Sequence, residues 1–161
     1  MEALESIVMA QDFFAGLDLE LGKFIASCTR NCHFEPGAYL FHEGELAREF
    51  YIVRHGKVAL EIASPGRKTL VLSTMQDGDI VGASCLVAPH RWNADARAQT
   101  HVRALGFGVE SLRAKCEEDP SIGYQLLKRF AALLAGRLLA AHLQLLDMYG
   151  RPEKVLAFAW R

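Results

Sequence analysis

Apolar residues fall at helical intervals near the start of the chain: Ile7, Val8, Phe13 and Phe14, then Leu21, Phe24 and Ile25, with a break at Gly16. This pattern predicts two short helices within residues 5–30. From His33 the period shortens. Tyr39-Leu40-Phe41, Phe50-Tyr51-Ile52-Val53, Val58-Ala59-Leu60-Glu61-Ile62 and Thr69-Leu70-Val71-Leu72 are brief β-prone runs, separated by turn signals at Pro36-Gly37, Gly44, Gly56, Pro65-Gly66 and Gly78. Ala94, Ala96 and Ala98 alternate with Asp95, Arg97 and Gln99, which predicts a strand with a small inward face and a solvated outward face carrying Arg97 beside Asp95. Residues 102–109 form a last strand. Short strands at such spacings predict an antiparallel sandwich or barrel.

The helical period returns at Glu110, first in a short segment to Glu118 and then, past Asp119-Pro120-Ser121, in one long helix over residues 121–148. Pro120 suits its opening turn, and Gly150 with Pro152 predicts its end. This helix carries two apolar stripes. Leu127, Ala131, Leu134, Leu138, Ala141, Leu145 and Met148 follow a 4,3 spacing, whereas Leu126, Phe130 and Leu133 lie on a neighbouring line. One stripe can cover a β core while the other needs a partner, which predicts a parallel homodimer. Residues 130–146 are interrupted by Arg137, His142 and Gln144 and fall short of an uninterrupted membrane span, so a soluble helix and no membrane partner are expected.

The 161 residues are 51% hydrophobic and 23% charged, with 18 Lys and Arg against 19 Asp and Glu. That is enough chain to build a core without a metal or disulfide. A net charge of −1 excludes nucleic-acid coating by bulk electrostatics. The first residues, Met1-Glu2-Ala3-Leu4-Glu5, lack the basic segment of an export signal, so reduced cysteines and a cytoplasmic protein are expected. Cys28-Thr29-Arg30-Asn31-Cys32-His33 has the residue types of a haem or metal motif, and with Cys85 or Cys116 could complete a ligand set. No second close pair supports it, so these are read as small, partly buried side chains. No phosphate-binding Gly-rich loop, nucleophile elbow or His-Glu-x-x-His motif occurs, and an enzyme is not expected.

The run Pro36-Gly37-Ala38-Tyr39-Leu40-Phe41-His42-Glu43-Gly44, followed by Phe50-Tyr51-Ile52-Val53, Gly56-Lys57-Val58 and Gln76-Asp77-Gly78-Asp79-Ile80-Val81-Gly82, resembles the cyclic nucleotide-binding domains of catabolite-activator regulators, protein kinase A regulatory subunits and gated channels. The resemblance implies an α+β domain: an antiparallel β jelly roll with short N-terminal helices and a long C-terminal dimerisation helix, over residues 1–150, followed by a tail at 151–161. It implies a regulatory module with cyclic AMP, cyclic GMP or another anion as ligand, working as a homodimer with a protein partner supplying output. The regulators it resembles continue into a helix-turn-helix; the eleven tail residues here, with Leu156, Phe158 and Trp160, are too few for one, so direct DNA binding is not expected.

The resemblance also places a ligand pocket after Gly82. There the family presents backbone amides and a Glu to the ribose, and an Arg to the cyclic phosphate. This chain has Ala83 at the Glu position and Trp92 at the Arg position, with Arg91 one residue early. Candidate ligand contacts are Gly82, Ala83, Ser84, Arg91, Trp92 and Asn93. Trp92 could stack on a base or fill the cavity itself, leaving the site altered or degenerate. His142, on the long helix, falls where the family touches adenine and is otherwise a solvent-facing histidine. The alternative function is a ligand-free scaffold that keeps the fold and holds a partner.

Overall fold

A computed structural model describes residues 3–149 of the chain. The 151–161 tail, and the expected helix end at Gly150 and Pro152, lie outside the described residues. A first compact unit ends at Gly123 and a second begins at Tyr124.

The first unit opens with α1 (Leu4–Met9), a 3₁₀ turn at Asp12–Phe14 and α2 (Leu19–Ser27). Asp18 starts α2 by accepting the Leu21 amide at 2.9 Å, so an otherwise orphaned donor is satisfied. Eight strands follow: β1 (Thr29–Phe34), β2 (Tyr39–Phe41), β3 (Glu49–His55), β4 (Val58–Ile62), β5 (Leu70–Met75), β6 (Ile80–Val81), β7 (Asp95–Ala98) and β8 (Val102–Gly108). They form two four-stranded antiparallel sheets, in the orders β1-β8-β3-β6 and β2-β7-β4-β5. This is the antiparallel jelly roll the sequence implied, with α3 (Val109–Glu118) closing the β region.

Sequence periodicity hid two strands, the two-residue β6 and, with more consequence for the fold, β1. Its residues, Thr29-Arg30-Asn31-Cys32-His33-Phe34, show no apolar alternation, and β8 alone specifies the strand through register pairs from Thr29 and Phe107 to Phe34 and Val102. Alternation along β1 turns Cys32 inward and His33 outward, so these two residues of the Cys28–His33 motif face opposite ways.

The β1-β8-β3-β6 sheet is packed on both faces. On one, Phe50 and Phe107 stack at 4.7 Å and Phe14 of the 3₁₀ turn lies 5.3 Å from Phe107, so the N-terminal segment seals this side. On the other, Cys32, Ala104 and Tyr51 meet around Gly106. A Cβ there would come 2.8 Å from Cys32 Sγ and 3.3 Å from the Tyr51 ring, so the strand can pass only as glycine.

In β7 the alanines face inward as alternation predicts, all of them buried. Arg97 corrects the expectation of a merely solvated arginine. Its Nε and Nη2 donate to the Glu61 carboxylate at 2.7–3.2 Å, and Glu61 is only 1% exposed. Glu61 stands opposite Asp95 and Arg97 opposite Ala59, so the guanidinium reaches the carboxylate diagonally across the ladder. The partner lies 36 residues away in sequence, beyond any local pattern. Asp95 accepts the Glu43 amide at 2.8 Å and pins the β2–β3 loop.

α4 (Pro120–Tyr149) is a single 30-residue helix that Pro120 opens as expected. Leu126 and Phe130 are its buried residues, whereas Leu127, Leu134, Leu138, Leu145 and Met148 are exposed, so the two stripes differ in burial. An 18-residue window of mean hydropathy 1.3 makes α4 long and apolar enough to cross a membrane by length and composition alone, although the interrupting polar residues argued against that in the sequence. One such helix is weak evidence of a span.

The Glu61–Arg97 pair makes a stability prediction. Arg97→Ala strands a buried carboxylate, so its urea midpoint should fall below that of the Arg97→Ala/Glu61→Gln double variant. Equal midpoints would show that Glu61 does not need its partner.

Candidate functional site

Gly82 follows β6, and its φ of 87° and ψ of 28° place it in the left-handed region. Close approach constrains it as well. A Cβ at Gly82 would come 3.0 Å from Trp92 Nε1, 3.3 Å from the Phe41 ring and 3.4 Å from the Glu49 carbonyl oxygen. A 3₁₀ turn, Ala83–Leu86, follows. Ala83 is buried and carries no group for a ribose. The Ser84 hydroxyl donates to the Arg91 carbonyl at 3.2 Å, and the Cys85 amide to the Gly82 carbonyl at 3.2 Å. Cys85 is fully buried, which pushes its thiol up to about 12 against the opposing charge of Arg113 on α3. It is a packing residue, with no thiolate at neutral pH.

The chain then turns through Val87, the cis Ala88–Pro89 bond and His90 at φ 56°, and runs back along the β2–β3 loop. The Ala47 amide donates to the His90 carbonyl at 2.8 Å, the Gly44 amide to the Trp92 carbonyl at 2.9 Å, and the Trp92 amide to the Glu45 carbonyl at 3.2 Å. In this extended segment neighbouring side chains must point to opposite sides. Arg91 takes the outside. It is exposed, and its Nη1 donates to the Gly44 carbonyl at 2.6 Å.

Trp92 takes the inside. It is 8% exposed and stacks on Phe41 at 4.1 Å and 11°. Of the two readings open to it in the sequence, the structure shows the indole packed into the fold beside Gly82. Its Nε1 is buried and has no hydrogen-bond partner among the described residues. Asn93 is exposed next to it, and His142 is exposed on α4 in the second unit.

Gly82, Ala83, Ser84, Arg91 and Trp92 are therefore gathered around one turn, with the only guanidinium of the set directed outward to a carbonyl. Several participants had no sequence signal as site residues. Phe41 supplies the stacking face, the Gly44 carbonyl holds Arg91, and Tyr51 stacks on Phe41 at 6.4 Å. Glu49, whose carbonyl flanks Gly82, accepts two bonds from Arg30 at 2.7–2.8 Å and one from the Tyr51 hydroxyl at 2.8 Å. Phe41 and Gly44 lay inside the recognised motif, but the motif marked them as parts of the fold.

The Glu49 cluster has a pH signature. Hydrogen bonding from Arg30, above all, and from Tyr51 holds the Glu49 carboxyl below its ordinary value, while burial and the bond to Glu49 push the Tyr51 phenol up. Since the folded value of Glu49 is depressed, its contribution is present above the unfolded value of about 4.3 and is lost as pH falls from there through the folded value. Arg30→Ala should lower stability at pH 7 and flatten its decline between about pH 5 and pH 3, as read by urea unfolding at stepped pH. An unchanged acid limb would show that the cluster does not couple to folding.

Residues 31–119 match the profile of the family described as cyclic nucleotide-binding domain. The chain is 33% identical over 114 residues to the mouse potassium/sodium hyperpolarization-activated cyclic nucleotide-gated channel 2, a match covering 71% of this chain and 13% of the channel. The chain thus spans only a small part of the curated relatives it matches. Among solved structures it is similar to a protein of Geobacter metallireducens GS-15 described as a candidate cyclic nucleotide-binding protein, with a TM-score of 0.76, 29% identity and coverage of 86% of this chain and 99% of that one. It is also similar to the regulatory subunit of a cAMP-independent protein kinase A from Trypanosoma brucei, with a TM-score of 0.63, 25% identity and coverage of 79% and 45%.

Proposed function

We propose, from the premise that this chain belongs to the cyclic nucleotide-binding domain family, that it is a regulatory ligand-sensing module with an altered pocket. In it the Trp92 indole N–H stands in place of the phosphate-binding guanidinium. The observation that carries this reading is Trp92 Nε1, a buried donor beside Gly82 with no acceptor among the described residues. Leaving such a donor unsatisfied costs about 1–3 kcal/mol, which an acceptor oxygen arriving at the turn would recover.

The donor set is neutral. An indole N–H with the backbone amides of the turn can hold an oxygen of a small anion, but it does not neutralise a cyclic phosphate as a bidentate guanidinium does. Ala83 supplies no carboxylate for a ribose. Cyclic AMP and cyclic GMP are therefore not held here in the family's manner, and the ligand is an anion that tolerates neutral donors. The relative described as a regulatory subunit of a cAMP-independent kinase is in keeping with a family whose members differ in ligand.

Output passes through α4. Its exposed Leu127, Leu134, Leu138, Leu145 and Met148 recur at seams of 7, 4, 7 and 3 residues, a spacing suited to a second copy of the helix. A ligand acts on such an assembly only by binding its states unequally. Free thiols at Cys28, Cys32, Cys85 and Cys116 fit a reducing compartment such as the cytoplasm.

A second reading is favoured by the stack itself. If the Trp92–Phe41 pair permanently fills the site, the module is a ligand-free scaffold that holds a partner protein. Thermal unfolding with cyclic nucleotides and small carboxylates separates the two, since a ligand of the native state must raise its stability. An altered sensor shows a saturable rise with a small anion, abolished in Trp92→Phe, which keeps the stacking and removes the N–H. A flat response across the panel overturns it in favour of the scaffold.

Restoring the family's chemistry gives an independent test. The Ala83→Glu/Trp92→Arg variant should gain a rise of roughly 5 °C with saturating cyclic AMP, where the unaltered chain gains none. A comparable rise in the unaltered chain would sink the assignment of Trp92. For the helix, Leu138→Lys/Leu145→Lys should convert a dimer to a monomer by light scattering, and a monomeric mass for the unaltered chain would dispose of the homodimer.

A further inference from the structure

A cleft of about 540 Å³ lies between α1 and the outer face of the β1-β8-β3 sheet. Strand alternation keeps it apart from the Gly82 turn. Cys32 and Ala104 border the cleft, yet alternation directs their side chains, with that of Tyr51, to the inner face, where Tyr51 meets Phe41, whereas His33 and Arg103, a register pair, stand on the opposite one. Arg54 enters from β3 at the register shift between Val53 and His55, which aims it along the same outer face. Leu4 and Ile7 of α1 form an apolar wall.

The electrostatics of this cleft are one-sided. Arg54, Arg103, His33 and Asn31 supply its polar side chains, and among the described residues no carboxylate lines it. Neither guanidinium has a hydrogen bond or ion pair with another described residue, unlike Arg30, Arg91, Arg97 and Arg113, each of which is committed to a carboxylate or a carbonyl. Arg54 is half-buried in that condition. β3 and β8 are hydrogen-bonded neighbours, so two like charges are held on strands roughly 5 Å apart. An anion between them would relieve the repulsion and receive planar, bidentate donors.

We propose that this cleft is a second ligand site, taking a small organic anion: a phosphate monoester or carboxylate whose oxygens sit between Arg54 and Arg103 and whose apolar body lies against Leu4 and Ile7. The inference does not rest on the reading of the Gly82 turn. The two sites use different faces of the sheet and opposite chemistry, one neutral donors and the other paired cations.

Amide NMR titration of the full chain tests it, with phenyl phosphate as probe and inorganic phosphate as the comparison. Phenyl phosphate should bind saturably, with the largest shifts at Asn31, His33, Arg54 and Arg103, and more tightly than inorganic phosphate because the ring uses the apolar wall. Arg54→Gln and Arg103→Gln, both conservative in size, should each weaken binding about tenfold with an unfolding midpoint no lower than that of the unaltered chain. Trp92→Phe should leave it intact, so failure at one site is distinguishable from failure at the other. No saturation by about 10 mM, shifts centred on Gly82 and Trp92, or unaltered affinity in the double arginine variant would each overturn the proposal.

Discussion

Four aromatic rings tie the two sheets of this domain together. Phe34 of β1 meets Tyr51 of β3 edge-on at 5.8 Å, Tyr51 stacks on Phe41 of β2 at 6.4 Å, and Phe41 stacks on Trp92 at 4.1 Å. Each ring buries a large apolar area and constrains the orientation of the next, so the ladder sets both the spacing of the sheets and the course of the chain between β6 and β7. The pocket region is the end of this ladder. Its shape is inherited from the core.

That dependence explains why the turn after Gly82 differs so much from what the family resemblance implied. Trp92, at the position where the resemblance leads one to expect an arginine, continues the packed series, and the neighbouring Arg91 is turned out by alternation to the Gly44 carbonyl. Gly82 is left-handed and also so close to the indole that a Cβ would press on it at 3.0 Å. Substituting one ring in such a series acts on stability and on ligand chemistry together, since the same atoms serve both.

Charge is used sparingly in the jelly roll and at defined places. Glu61 is buried because Arg97 reaches it across the ladder, and Glu49 is held ionised by Arg30 and Tyr51 at the end of β3. Both pairs join residues far apart in sequence, 36 and 19 positions respectively. Against that background, Arg54 and Arg103 are two cations that line one cleft without a counterpart among the described residues. Paired charges lock strands in register, whereas unpaired ones on a concave face attract a ligand.

The sequence by itself determined the architecture. Short β-prone runs with turn signals, alanine alternation in β7 and the two-stripe helix pattern are local features, and local features suffice to specify strands, corners and a long helix. It also set the expectation, through the family resemblance, that Ala83 and Trp92 stand at the family's ligand positions, because that expectation is a matter of register in one continuous motif. Tertiary structure decided what no local window contains. β1 exists because β8 pairs with it, Arg97 is an ion-pair partner because Glu61 lies diagonally across the sheet, and Trp92 turns inward because Phe41 offers it a face. Each of these depends on residues brought together from distant parts of the chain, and periodicity along a strand carries no information about what stands opposite it.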